Sequence, residues 1–138
     1  MRLTKLALHG FRNLEAQQLE FPTKVTYIVG KNGQGKTNLL EAIYLLAHSK
    51  SFRTSKAADL TRWGVDSAPL SVPLSVIGEL ETAAGHKTIE YRVVDGLKRI
   101  FINEKKVARA LDFFGQVKAI EFTPDDLEIC KGSPQRRR

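Results

Sequence analysis

The sequence predicts an α/β fold in which a mixed sheet with an antiparallel meander packs around one helix. Three observations predict it. First, Val25-Thr26-Tyr27-Ile28-Val29 is mostly apolar and β-branched, breaks at glycines, and gives way to the apolar stretch Leu39 to Ala47. That is the pattern of a buried strand, a turn and a packed helix. Second, residues 76–107 hold alternating apolar and polar runs separated by Asp95-Gly96 and Asn103-Glu104, the pattern of successive hairpins. Third, the 138 residues are 42% hydrophobic and 27% charged. A chain of this size and composition buries roughly two-thirds of its unfolded surface around one core.

The elements follow in order. Leu6 and Leu8 alternate with Lys5, Ala7 and His9 and predict a strand ending at Gly10. Leu19 and Phe21 predict a second short strand, stopped by Pro22. Val25 to Val29 is expected to be a strand buried on both faces. Leu39 to Ala47 carries a single charge, Glu41, so its helix is expected to pack on more than one side. Residues 48–75 have no clear period, and Pro69 and Pro73 bracket a loop. Val76, Gly78 and Leu80, then Ile89, Tyr91 and Val93, then Arg99 to Ile102 supply the meander. A short helix is expected at Arg109 to Phe114 and a strand at Val117 to Phe122. Thr123-Pro124-Asp125-Asp126-Leu127 has an N-cap, a proline at the first helical position and acids in the first turn, so a helix is expected to start there.

Composition excludes several classes. No window reaches the ~20 apolar residues of a membrane span, and the N-terminus lacks the apolar block of a signal peptide. Cys130 is the only cysteine, so no intrachain disulfide forms and a reducing cytoplasm fits. His9, His48 and His86 have no metal-ligand spacing among them. The net charge of +7 favours an anionic partner such as nucleotide or nucleic acid. Part of that excess is Arg136-Arg137-Arg138, which ends the chain and reads as an interruption rather than a finished terminus.

Between the predicted strand and helix, Gly30-Lys31-Asn32-Gly33-Gln34-Gly35-Lys36-Thr37 matches G-x-x-x-x-G-K-[ST] at every position, the pattern of a phosphate-binding loop. Glycines let the backbone turn and approach a phosphate without a Cβ in the way. Successive N–H groups cradle the oxygens, and the helix adds its positive end. Lys36 reaches the β- and γ-phosphates as a point charge, and the Thr37 hydroxyl suits Mg2+, a hard cation that prefers oxygen. The ligand expected is ATP with Mg2+, held by Gly30 to Thr37 and the adjoining Asn38. On this reading residues 1–65 and 116–138 form the P-loop core, and residues 74–107 the meander.

The hydrolytic half of the chemistry is not visible. A P-loop ATPase also needs a carboxylate at a strand end after an apolar run. The nearest candidate is Arg92-Val93-Val94-Asp95, whose apolar run is short and whose Gly96 explains Asp95 as a turn. No Leu-Ser-Gly-Gly-type segment is present.

Gly10-Phe11-Arg12-Asn13, the phosphate loop, and Asn38-Leu39-Leu40-Glu41-Ala42-Ile43-Tyr44 resemble the RecF family of bacterial DNA replication and repair proteins, relatives of the structural-maintenance-of-chromosomes (SMC) ATPases. His48-Ser49-Lys50-Ser51-Phe52-Arg53-Thr54 is the stretch most specific to RecF. Phe122-Thr123-Pro124-Asp125-Asp126-Leu127 and Gly132 to Arg138 add to the match. The resemblance runs from end to end but covers only the start of a RecF chain. It implies the first lobe of an ABC-type ATPase head, with the signature motif, the second carboxylate motif and the arm further along. It also implies action at single-strand/double-strand DNA junctions in DNA repair, replication and the SOS response, with RecA loading. The implied partners are DNA, a RecR-like mediator and a second copy in an ATP-dependent homodimer, in the cytoplasm. Turnover by these residues alone is not expected, because no catalytic carboxylate is visible.

The resemblance places Arg12 near the nucleotide. From the residues alone, Arg12 is either a planar donor for phosphate oxygens or an exposed arginine after a strand, and Asn13 is equally explained as turn chemistry. Lys50, Arg53 and Lys56, with Phe52 and no acid among them, fit a DNA backbone contact or a solvated loop. Arg136, Arg137 and Arg138 carry the same two readings. Another P-loop protein, such as a small nucleotide kinase, is the alternative. A small GTPase is disfavoured because no Asn-Lys-x-Asp segment is present.

Overall fold

A computed structural model of the chain describes residues 1–61 and 73–122. The elements are β1 (Arg2–His9), β2 (Gln17–Glu20), α1 (Lys36–His48), a 3₁₀ turn (Ala57–Leu60), β3 (Leu74–Thr82), β4 (Gly85–Val94), β5 (Leu97–Ile102), β6 (Lys105–Lys106) and α2 (Ala110–Phe113). The strands form one sheet in the order β2-β1-β3-β4-β5-β6, and every described pairing is antiparallel. The meander is therefore continuous with the first hairpin, since β3 pairs directly with β1.

The turn chemistry read from the sequence is realised. Asp95 and Gly96 both have positive φ, as do Asn103 and Glu104, the geometry whose twist suits two-residue hairpins. The Asn103 side chain accepts a hydrogen bond from the Thr88 N–H at 2.9 Å, which ties the second turn back to β4.

One face of the sheet is apolar because the strand period of two sets alternate residues on it. Leu6 and Leu8 of β1, Leu74, Val76 and Leu80 of β3, and Ile89, Tyr91 and Val93 of β4 are all buried. Helix α1 lies against this face and buries Leu39, Ala42, Leu45 and Leu46. Leu6, Gly78 and Ile89 stand in one cross-strand row. Gly78 leaves a gap in that row, and a Cβ built there would meet Leu46 Cδ1 at 2.5 Å and Leu3 Cδ1 at 3.2 Å. Leu46 of α1 seats in the gap. Gly78→Ala is accordingly expected to destabilise the chain by about 1–3 kcal/mol through overpacking, read as a lowered urea midpoint. An unchanged midpoint would mean that Leu46 rotates away freely.

Two expected strands are corrected. Val25 to Val29 has no strand geometry, and Tyr27 is 86% exposed. Val117 to Phe122 likewise forms no strand, and Ile120 is 100% exposed. Both runs have β-favouring side chains, but a strand is held by ladder hydrogen bonds and a covered face. Among the described residues no neighbouring strand supplies either one. The helix start expected at Thr123 and the loop at Pro69 lie outside the described residues.

Candidate functional site

The phosphate-loop motif connects residue 29 to α1 and starts the helix at Lys36. Gly33 and Gly35 have φ of +83° and +89°, a left-handed backbone that glycine adopts without strain. A Cβ on Gly35 would meet Leu14 Cδ2 at 2.5 Å and Asn13 Oδ1 at 3.0 Å, so its lack of a side chain also lets Asn13 approach. Gln34 braces the loop by accepting from the Lys31 N–H at 2.9 Å. Lys36 folds across it, its Nζ donating to the Gly30 carbonyl at 2.8 Å and the Lys31 carbonyl at 2.7 Å. Thr37 is exposed in the first turn of α1. No cluster of three His, Cys, Asp or Glu forms among the described residues. An oxygen-seeking cation would thus lean on Thr37 and on the phosphates it neutralises.

A polar chain runs behind the loop. Asn13 Nδ2 donates to the Gly33 carbonyl at 3.1 Å, and Asn13 Oδ1 accepts from Asn38 Nδ2 at 2.7 Å. Asn38 Oδ1 in turn accepts from Arg53 Nη1 at 2.7 Å. That same nitrogen lies 3.7 Å from Glu41 Oε2. Asn13 and Asn38, expected at the nucleotide, are thus placed as braces of the loop.

Arg12 is not the exposed arginine that one of its two readings supposed. It is 5% exposed, and Glu41 is 0% exposed. Arg12 Nε donates to Glu41 Oε2 at 3.0 Å, its Nη2 to Glu41 Oε1 at 2.6 Å, and its Nη1 to the Asp59 carbonyl at 2.7 Å. Its guanidinium therefore spans α1 and the 3₁₀ turn. The reason is steric and electrostatic together. Helix α1 turns Glu41 into the core, and a carboxylate with no access to water requires a bidentate cation. Ser51 also donates to Glu41 Oε1, which anchors the following loop to the same carboxylate. Glu41, Ser51 and Asp59 are the residues that sequence reasoning missed. The signal for Glu41 was present, as the single charge in an apolar helix.

The three cationic loop residues Lys50, Arg53 and Lys56 do converge. They line an open cleft of about 640 Å³ between the loop after α1 and the sheet. Tyr91 of β4 and Lys98 of β5 complete the lining. Lys98 Nζ donates to the Ser49 carbonyl at 3.2 Å. Phe52 is held edge-on to Tyr44, with ring centroids 5.4 Å apart, so it forms wall rather than a free stacking surface. Asp95 sits in the hairpin turn with positive φ, as its glycine neighbour indicated. Arg136, Arg137 and Arg138 lie outside the described residues. Among the described residues no helix is long and apolar enough to cross a membrane.

Comparison with known proteins agrees with this geometry. The model of the RecF/RecN/SMC N terminal domain matches residues 2–125. The chain is similar to the DNA replication and repair protein RecF of Myxococcus xanthus, at 43% identity over all of this chain and 35% of that protein. It is also similar to RecF of Geobacillus kaustophilus, at 40% identity over all of this chain and 36% of that protein. The chain thus spans about a third of the length of these curated relatives. Among solved structures, the recombination mediator RecF with ATP in the RecFOR pathway superposes with a TM-score of 0.82 at 38% identity, over 99% of this chain and 36% of that one. A structure described for ATP-driven dimerisation and DNA-stimulated activation of SMC ATPases superposes with a TM-score of 0.79 at 25% identity, over 99% of this chain and 95% of that one. The fold is that of the first lobe of an ABC-type P-loop ATPase head, and the chain belongs to the RecF/RecN/SMC N-terminal domain family.

Proposed function

We propose that this chain binds ATP with Mg2+ through Gly30 to Thr37, as the nucleotide-binding lobe of a RecF-like DNA repair and replication ATPase. The observation that carries the reading is the loop itself. Two left-handed glycines shape a concave backbone, and a lysine ammonium lies across it at the start of an apolar helix. The ammonium now donates to two loop carbonyls, and terminal phosphates would take over those donors as stronger, charged acceptors. Thr37 would give its hydroxyl to the magnesium, which neutralises the same phosphates. From behind the loop Asn13 holds the Gly33 carbonyl and Asn38 holds Asn13, while Arg12 fixes the helix from below. In the whole protein this lobe would work as a cytoplasmic, ATP-dependent homodimer. It would engage DNA at single-strand/double-strand junctions, with a RecR-like mediator, to promote RecA loading. Lys50, Arg53 and Lys56 are the proposed DNA contacts.

Isothermal titration tests the nucleotide reading. ATP with magnesium is expected to bind and AMP to bind far more weakly, because the loop addresses the β- and γ-phosphates. Equal affinity for the two would remove the phosphate loop from the explanation.

A further inference from the structure

The cleft beside the phosphate loop has more chemistry than its three loop cations. No described carboxylate lines it. Glu41 and Asp59, the carboxylates that touch its wall, are spent on Arg12, Ser51 and Thr54. Lys50 and Lys56 form no ion pair with a described residue, and Lys98 meets only the Ser49 carbonyl. Tyr91 is 3% exposed, yet its hydroxyl makes no hydrogen bond with a described residue while its side chain lines the cleft. That hydroxyl is not among the described buried polar atoms that lack a partner, so it opens onto the cleft and is available to donate to what enters it. Burial pushes the Tyr91 pKa up to about 12, so the group stays a neutral donor at any physiological pH.

We infer that this cleft is a second phosphate site, separate from Gly30 to Thr37, which seats a phosphodiester of a nucleic-acid strand on the Tyr91 hydroxyl and the ammonium groups of Lys50, Lys56 and Lys98. The inference rests on the DNA reading above and adds two ligands from the sheet to it. Three cations with no ion pair among the described residues and a neutral donor match an anion that carries both charge and hydrogen-bond acceptors. The volume of about 640 Å³ exceeds what one phosphate ion fills, and the cleft is open to solvent, so a strand can pass through it. Arg53, a contact of that DNA reading, lines the cleft but faces the phosphate loop as well. Its guanidinium is engaged by Asn38, 2.7 Å away, so it forms the partition between the two phosphate sites. Substituting Arg53 would therefore disturb the phosphate loop as well as the cleft.

The test uses fluorescence anisotropy of this chain with a labelled single-stranded oligonucleotide across a salt series, with ATP titration in parallel. Lys98→Gln is expected to make the dependence of log affinity on log salt shallower by about 0.7, one phosphate contact on a single strand. Tyr91→Phe is expected to weaken DNA binding about tenfold with the slope unchanged, since it removes a donor to a charged group and no charge. Both variants should bind ATP like the parent, which also reports that they are folded. DNA binding by the parent with neither variant altered would overturn the cleft assignment and leave the DNA reading standing. A parent that bound no DNA would overturn the DNA reading, and the cleft assignment with it. Inorganic phosphate competing as well as the oligonucleotide, at equal phosphate concentration, would overturn the phosphodiester and make this a small-anion site.

Discussion

Replacing Glu41 by alanine is expected to destabilise the chain by about 3–5 kcal/mol, the cost of removing one partner of a buried ion pair. Glu41 and Arg12 side chains are 0% and 7% exposed, so solvent does little to screen the loss. The variant would strand the Arg12 guanidinium beside an apolar methyl, and the Ser51 hydroxyl would lose its acceptor. Such a loss is a large share of the roughly 5–15 kcal/mol by which domains are stable. Urea unfolding of Glu41→Ala, Arg12→Met and the double variant Arg12→Met/Glu41→Leu measures it. The double variant is expected to be much less destabilised than Glu41→Ala, because two apolar groups need no partner. A Glu41→Ala midpoint within about 1 kcal/mol of the parent would mean that Arg12 reaches water or another acceptor.

Lys36→Ala is expected to weaken ATP binding by about 2–3 kcal/mol, a contact between an ammonium and terminal phosphates. The fold should persist, since Lys36 donates only to loop carbonyls and alanine is a good first-turn residue. Isothermal titration gives the affinity, and thermal unfolding without nucleotide gives the control. Equal ATP affinity in variant and parent would mean that the ammonium does not follow the phosphates. The two predictions separate cleanly. Lys36 acts on the ligand from an exposed loop, whereas Glu41 acts on the framework that presents the loop.

Much of the framework was legible from local pattern. The strand at Arg2–His9, the helix at Lys36–His48 and the meander at Leu74–Lys106 follow from periodicity and turn residues, which are properties of neighbours in sequence. The two strands that do not form, at Val25 to Val29 and Val117 to Phe122, were misread for a physical reason. β-propensity reports fit to a pleated surface, and the strand exists only where a neighbour provides that surface. The site divides in the same way. The phosphate loop was readable because its chemistry is carried by consecutive backbone groups. Tyr91 and Lys98 were not readable as site residues, because only the register of β4 against β5 and the path of the loop after α1 bring them beside Lys50 and Lys56.

By itself, the sequence determined the α/β class, the phosphate loop with Lys36 and Thr37, the hairpin turns and the acid-free run from Lys50 to Lys56. Each of these depends on residue types at fixed short spacings. The tertiary structure alone decided that Arg12 serves Glu41, that Asn13 and Asn38 brace the loop, that Arg53 binds Asn38 while lining the cleft, and that Gly78 admits Leu46. Those roles join residues 15 to 47 positions apart in the polar network, and 32 apart at Gly78 and Leu46. At such separations only packing, the burial of a charge and the need to satisfy it can choose the partner.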